Sequence, residues 1–175
     1  MTSFQIRAAS LSDAEMLGHI GVATFVESYS DQIEGQAMVR HCTEQHSAGV
    51  YAQYLRAPDT GCWLAEHAQT GAPIGYALNC TPDLPIDTAP SDIELKRIYL
   101  LSRFHGQGIA DALLQASIDH ARARHCTRLL LGTYEDNQRA IGFYAKHAFV
   151  SIGTRKFNIG GKVFDDTILA KQLDQ

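Results

Sequence analysis

The chain has 175 residues and a formal net charge of −4, from 15 basic and 19 acidic side chains. That length is about one ordinary domain with room for a sizeable core, and a composition 45% hydrophobic but only 19% charged excludes disordered and collagen-like classes. The acidic surplus argues against a nucleic-acid partner and mildly for a small cationic one, and no run approaches the ~18 apolar residues of a membrane span.

The cysteines Cys42, Cys62, Cys80 and Cys126 form no C-x-x-C pair, so no zinc site is expected. His41-Cys42 with His46 is the nearest approach to a ligand cluster and reads as a polar helix face, so no metal is expected. The N-terminus has no basic stretch leading into an apolar one, which predicts a cytoplasmic protein with reduced thiols.

Phe4 to Arg7 alternates as a first strand, and Ser12-Asp13-Ala14-Glu15 reads as a capping box opening a helix through Phe25. Tyr29 to Arg56 is helical or irregular. Trp63–Glu66 and Ile74–Leu78 read as strands around a turn at Gln69–Pro73. Thr81 to Pro90, with Pro82, Pro85 and Pro90, is a loop. Ile93–Leu101 is a strand and Ile109–Arg124 a helix with Ile109, Leu113, Leu114 and Ile118 on one stripe. Leu129–Leu131 is a buried strand, Asn137–His147 a helix, and two strands flank a Gly160-Gly161 hairpin turn. Strands interleaved with helices predict a mixed α/β (α+β) domain, one unit over 1–175, around a single central sheet.

The informative stretch runs from Glu94 to Leu114, where a strand passes through a polar, glycine-bearing turn into an amphipathic helix. A helix N-terminus offers unpaired N–H groups and positive dipole, and glycines let an anion approach the backbone. The spacing therefore predicts a phosphate cradle at Gly106 to Asp111. A P-loop is excluded because Ile109-Ala110 follows Gly108 instead of Lys-Ser/Thr, and a dinucleotide fingerprint fails at Asp111, the third-glycine place.

The segment resembles the acetyl-CoA-binding motif Q/R-x-x-G-x-G/A of the GNAT N-acetyltransferases. The register is His105-x-x-Gly108-x-Ala110, with His105 replacing Gln or Arg; Arg103-x-x-Gly106-x-Gly108 is a second register that the helix position disfavours. Asn137, Ala140, Phe143-Tyr144 and Ala148-Phe149 are similar to the family's N-x-x-A-x-x-x-Y-x-x-x-G-F, with Ala148 replacing glycine. Thr24-Phe25, Ser28-Tyr29, Glu94 to Tyr99, Phe157 to Gly160 and Asp166 look like the PaiA-type polyamine acetyltransferase group.

The resemblance implies a GNAT domain with a mixed, mostly antiparallel sheet flanked by helices. It implies acetyl-CoA as cosubstrate. Backbone groups of Ile98, Tyr99 and Leu100 would pair with the pantetheine arm, and His105, Gly106, Gln107, Gly108, Ile109, Ala110 and Asp111 would surround the pyrophosphate. Asn137 and Tyr144 would lie against the cofactor arm and sulfur, with Leu100 N–H polarising the thioester. Tyr144 is the expected acid toward the thiolate and Glu94 the expected base, with Tyr99, His67 and His105 as weaker bases. Counting back from Leu100 puts Glu94, Lys96 and Ile98 on one strand face, so Glu94 is expected among apolar neighbours.

The implied reaction moves an acetyl group to a small primary amine, a polyamine in the narrower reading, by direct attack in a ternary complex. Phe25, Tyr29 and Tyr76 are candidates for the acceptor cleft, and Glu27, Asp31, Asp83, Asp87 and Asp92 for an acidic mouth. A protein or peptide N-acetyltransferase and a non-catalytic CoA-binding regulator are the alternatives. A homodimer is the expected assembly, without membrane partners.

Overall fold

The computed structural model describes residues 3–174; Met1, Thr2 and Gln175, which the expected unit over 1–175 includes, lie outside the described residues. Strand β1 (Phe4–Ala8) leads into helix α1 (Ala14–Tyr29), then α2 (Gly35–Gln45) and α3 (Ala48–Arg56). Strands β2 (Gly61–His67), β3 (Pro73–Cys80) and β4 (Asp92–Leu100) follow, then α4 (Ile109–Ala123), β5 (Arg128–Tyr134), α5 (Gln138–Lys146), β6 (Val150–Ile159) and β7 (Lys162–Gln172). The seven strands form one sheet in the order β1-β2-β3-β4-β5-β7-β6. Every neighbouring pair is antiparallel except β4–β5, which is parallel.

The first capping box differs from the expectation. It is formed by Ser10 and Asp13 around a short 3-10 turn at Leu11–Asp13, ahead of the Ser12–Glu15 pair. Asp13 accepts from the Ser10 N–H at 2.7 Å and also pairs with Arg7 of β1. Arg7 thus ties the chain's first strand to its first cap, and its guanidinium holds the Asp13 carboxyl well below the usual carboxylate range.

The two faces of the sheet are covered by different helices. On one face α4 buries Ile109, Leu113, Leu114 and Ile118 against Leu95, Leu129 and Leu131. On the other, α1 and α3 bury Leu17, Ile20 and Tyr51 against Leu64, Tyr76 and Leu78. Each fully buried aliphatic side chain contributes about 1.5–3 kcal/mol, so these two layers fix the sheet between them. A third cluster joins Phe25 of α1 and Met38 of α2 to Ile159 and Phe164 of the β6–β7 hairpin. The hairpin turns at Gly160 (φ 59°) and Gly161 (φ 92°), as a two-residue turn requires. A Cβ at Gly160 would meet the Ala37 Cβ at 2.0 Å, so the hairpin tip lies directly on α2.

Helix α5 ends in a left-handed residue. Ala148 has φ 61°, and the N–H groups of Ala148 and Phe149 return to the carbonyls of Ala145 and Tyr144. That is a Schellman ending, whose left-handed position glycine fills without strain. The geometry explains why Ala148 departs from the expected glycine at a cost.

Candidate active site

The central feature is a split in the sheet. β4 and β5 pair only over Asp92–Glu94 and Arg128–Leu130. β5 then stays on β7 as far as Tyr134↔Asp166, while β4 stays on β3 as far as Leu100↔Gly75. The two strands diverge and leave a gap between them. A cleft of about 770 Å³ runs through it, lined by Glu94–Tyr99 on one side and Gly132–Tyr134 on the other.

The ladder determines which backbone groups face the gap. Leu101 N–H donates to the Ile74 carbonyl, so residues 99 and 101 turn their polar groups toward β3. By alternation, Ile98 turns both of its groups and Leu100 its N–H toward the gap, the Leu100 carbonyl being taken by His105. Tyr99 therefore departs from the expected role: its backbone is spent on β3, and only its side chain belongs to the cleft.

Beyond β4 the chain enters the glycine turn. Gly106 (φ 75°) and Gly108 (φ 80°) are left-handed, and a Cβ on either would meet nothing within 4 Å. Gly108 caps α4, whose first intrahelical bond runs from Ala112 N–H to the Gly108 carbonyl at 3.0 Å. The amides of residues 108–111 thus precede the helical ladder, an arrangement suited to an anion. His105, in the place of Gln or Arg, donates from Nε2 to the Leu100 carbonyl at 2.9 Å, while its Nδ1 accepts from Arg139 of α5. It latches the turn onto the end of β4 and brings a guanidinium to the turn. Asp111 is paired with His147 at 3.0 Å, and the Gln107 side chain donates to the Arg103 carbonyl.

Helix α5 supplies the opposite wall, with Asn137, Ala140 and Tyr144 all lining the cleft. Asn137 caps the helix through Oδ1, accepting from Ala140 N–H at 3.0 Å, which leaves its Nδ2 donor for a bound molecule. Tyr144 is buried between Phe143 and Phe149, and burial pushes its phenol above the ordinary range. It is therefore a neutral O–H donor at physiological pH.

Glu94 departs from its expected surroundings. The β3–β4 pairing passes from Asn79↔Leu95 to Leu78↔Arg97, so Lys96 is an extra, bulged residue. The bulge resets the alternation, placing Glu94 on the face of Arg97 and Tyr99 and opposite to Ile98. Its neighbours are polar: its Oε2 accepts from Asp83 N–H at 2.7 Å, and its Oε1 lies 3.6 Å from Lys96 Nζ. Glu94 is 2% exposed and lines the cleft.

The remaining wall comes from α1, α2 and the β6–β7 hairpin. Phe25 and Tyr29 line the cleft, whereas Tyr76 is fully buried behind it. The Tyr99 phenol and then burial keep Tyr29 protonated. His41 stacks on Phe25 with ring centroids 4.3 Å apart, and His46 Nδ1 bonds the Tyr51 hydroxyl at 2.9 Å. The His41–His46 stretch thus serves aromatic packing. Of the five acids expected at the mouth, only Asp83 lines the cleft; Glu27 caps the turn at Ser102 and Asp92 pairs with Arg128. His67, on β2, also lies away from it.

The charged lining residues without an expected role include Arg40 and Glu44 of α2, Asp166, Arg155 and Arg97. Asp166 pairs with Arg155 at 2.9 Å, and the Arg155 guanidinium lies on Gly132. Arg97, 9% exposed, lies over the Tyr51 and Tyr54 rings at 5.3 and 5.7 Å. The signal for Arg97 is the Lys96-Arg97 pair inside a buried strand, where a basic pair has no reason to stand unless a bulge and a cleft receive it.

The family model described as "Acetyltransferase (GNAT) family" matches residues 22–149. The chain belongs to this family. As a GNAT protein it is an acyltransferase enzyme. It is 30% identical over 163 residues to an uncharacterised N-acetyltransferase of Mycobacterium bovis, covering 93% of this chain and 99% of that one. It is 32% identical over 92 residues to the spermine/spermidine N(1)-acetyltransferase of Bacillus subtilis, covering 51% of this chain and 60% of that one. Among solved structures it is similar to the PaiA N-acetyltransferase of Thermoplasma acidophilum in complex with coenzyme A. The TM-score is 0.79 at 19% identity, covering 97% of this chain and 99% of that one. At that identity the likeness concerns the fold.

Proposed function

We propose that this enzyme transfers an acetyl group from acetyl-CoA to the primary amine of a small molecule, with both substrates bound together. The observation that carries this reading is the continuity of the cleft. It joins backbone groups left unpaired by the β4–β5 split, the Tyr144 hydroxyl and the Glu94 carboxylate in one space. The residues fit the donor: the side-chain-free amides at Gly106 and Gly108 suit a pyrophosphate, and the Ile98 and Leu100 backbone suits an amide-bearing chain. Acetyl-CoA supplies the acetyl group as an activated thioester.

The protein's own groups then have distinct tasks. Leu100 N–H offers a donor where carbonyl charge builds. Tyr144 O–H hydrogen-bonds the departing sulfur. Because its phenol is pushed up by burial while an ordinary thiol titrates near ~8.5, its benefit comes from the hydrogen bond made as sulfur gains charge. Glu94 accepts the proton of the incoming ammonium, and Lys96 and Asp83 N–H hold its carboxylate in place. The four cysteines are buried and none lines the cleft among the described residues, which favours direct attack over an acyl-thiol route.

The narrower polyamine reading is supported by the likeness to the Bacillus subtilis enzyme, with Asp83 and Glu94 available to ammonium groups. Four buried thiols fit a cytoplasmic setting; no helix among the described residues is long and apolar enough to cross a membrane. The test is CoA-thiol release from acetyl-CoA across polyamines, amino acids, aminoglycosides and peptides. Release with a small amine is expected. Tight acetyl-CoA binding with no release across the panel would instead make the protein a CoA-binding regulator, and release only with peptides would make it a peptide acetyltransferase.

A further inference from the structure

Arg97 is a buried permanent cation without an anion. Its residue is 9% exposed, it lines the cleft, and Nη1 is buried with no hydrogen-bond partner. Of the other cleft cations, Arg40 is exposed on α2, and two are paired. Lys96 lies 3.6 Å from Glu94 and 3.5 Å from Asp83, and Arg155 pairs with Asp166. No carboxylate among the described residues lies within 4.0 Å of Arg97, whose neighbours are the Tyr51 and Tyr54 rings and the Tyr76 phenol. The histidines beside it add no second positive charge: burial and the Arg97 charge itself hold His41 and His46 neutral.

A guanidinium in this position is expensive. Removing it from water costs several kcal/mol unless a partner and hydrogen bonds offset it, and an orphaned donor adds to that cost. Stacking on two tyrosines offsets part of it and leaves Nη1 unmet. An apolar side chain of the same length would fill the space without this cost. The missing element is an anionic acceptor at Nη1, which a carboxylate provides.

The bulge at Lys96 adds the second half of the pattern. It places Glu94 and Arg97 on one face of β4, with a carboxylate toward one end and a guanidinium toward the other. A molecule carrying an amine and a carboxylate presents the complementary pair of charges. A polyamine presents cations alone and would bring one of them against Arg97.

We propose that the acceptor is a small amine that also bears a carboxylate, of the amino-acid class, and that Arg97 selects it by pairing with that carboxylate. This rests on the acetyltransferase reading and narrows it to a substrate class. The carboxylate occupies the Arg97 end while the amine lies toward Glu94. Arg97 is here a binding residue, with no part in the proton transfers.

Matched acceptors test this, each pair differing only in the anion: ornithine against putrescine, lysine against cadaverine, leucine against leucinamide. Two readouts are taken on the wild-type protein, calorimetric affinity for the CoA-bound enzyme and kcat/KM for CoA release. At least one carboxylate-bearing member is expected to bind about tenfold or more tightly than its mate, and to be acetylated with the same preference. In Arg97→Met that ratio falls toward one. Arg97→Lys, which keeps the charge, retains part of it. Loss of a structural prop alone would lower both members of a pair equally. Three results overturn the proposal: equal or tighter binding of every mate lacking the anion, an unchanged ratio in Arg97→Met, or an Arg97→Met defect confined to acetyl-CoA binding. Turnover of diamines but not of amino acids defeats this inference and leaves the acetyltransferase reading standing. Discriminating binding without CoA release from any amine defeats the acetyltransferase reading and leaves Arg97 as the anion receptor. Because the wild-type ratio needs no variant, misfolding of Arg97→Met leaves the test intact.

Discussion

The two halves of the cleft are built from different materials. The donor side is made of backbone: Ile98 in the cleft, then Leu100, the glycine turn and the first amides of α4, which continue beyond the cleft lining, with Asn137 and Tyr144 as its few side chains. The acceptor side is made of side chains from five elements, where Glu94 and Lys96, and Asp166 and Arg155, stand in pairs while Arg97 is buried with an unmet donor. A backbone-built site tolerates little change in shape and much in composition. A side-chain-built site can be re-specified one charge at a time. One common donor and a variable acceptor ask for that division.

The comparison is tested most severely at Gly108. Gly108→Glu puts a Cβ at φ 80° and a carboxylate into the anion cradle, so acetyl-CoA affinity should fall by more than ~100-fold. Survival of that affinity in calorimetry would mean that the cradle lies elsewhere. Tyr144→Phe should lower kcat on the order of 100-fold while acetyl-CoA affinity stays near wild type. An unchanged rate would remove Tyr144 from the chemistry. Glu94→Gln keeps an acceptor for Asp83 N–H but cannot take a proton, and should cost kcat ~10-fold; a wild-type rate would assign proton removal to water.

The acceptor side should also carry a pH signature in stability. Burial lowers His46 from 6.5 to about 3, so between these values the unfolded chain binds a proton that the folded one does not. Stability is therefore full above about pH 6.5 and is lost as pH falls toward 3, at no more than ~1.4 kcal/mol per pH unit for one proton. His46→Asn, which can present an N–H toward Tyr51, should flatten the fall of melting temperature between pH 6.5 and 4. An unaltered slope would assign it to other groups. The smallest effect is on the donor side: Ala148→Gly should raise stability by ~1 kcal/mol by relieving a left-handed alanine. A loss on thermal melting would show that the strain is offset in the fold.

These differences track what a sequence can reveal. The donor side was legible because its parts are contiguous: a strand, a turn and a helix between Glu94 and Leu114, then a block on α5. Element order was legible for the same reason, through the amphipathic stripe of α4 and the hairpin glycines. The acceptor side was not, because its charges come from α2, β4, β6 and β7 and meet only in the fold. One bulged residue also defeated the alternation argument for Glu94, since a period of two gives the wrong face after a single insertion. The expected acidic mouth failed in the same way: four of its five carboxylates lie outside the cleft, and nothing local distinguishes them from Asp83.

The most direct measurement is a crystal structure of the enzyme with CoA bound. The pyrophosphate should lie on the amides of Gly106 to Asp111, the pantetheine arm against Ile98 and Leu100 in the β4–β5 gap, and the sulfur facing Tyr144. The wall of Phe25, Tyr29, Glu94 and Arg97 should remain open to the acceptor. CoA seated among those residues, with the glycine turn bare, would contradict the division into two halves.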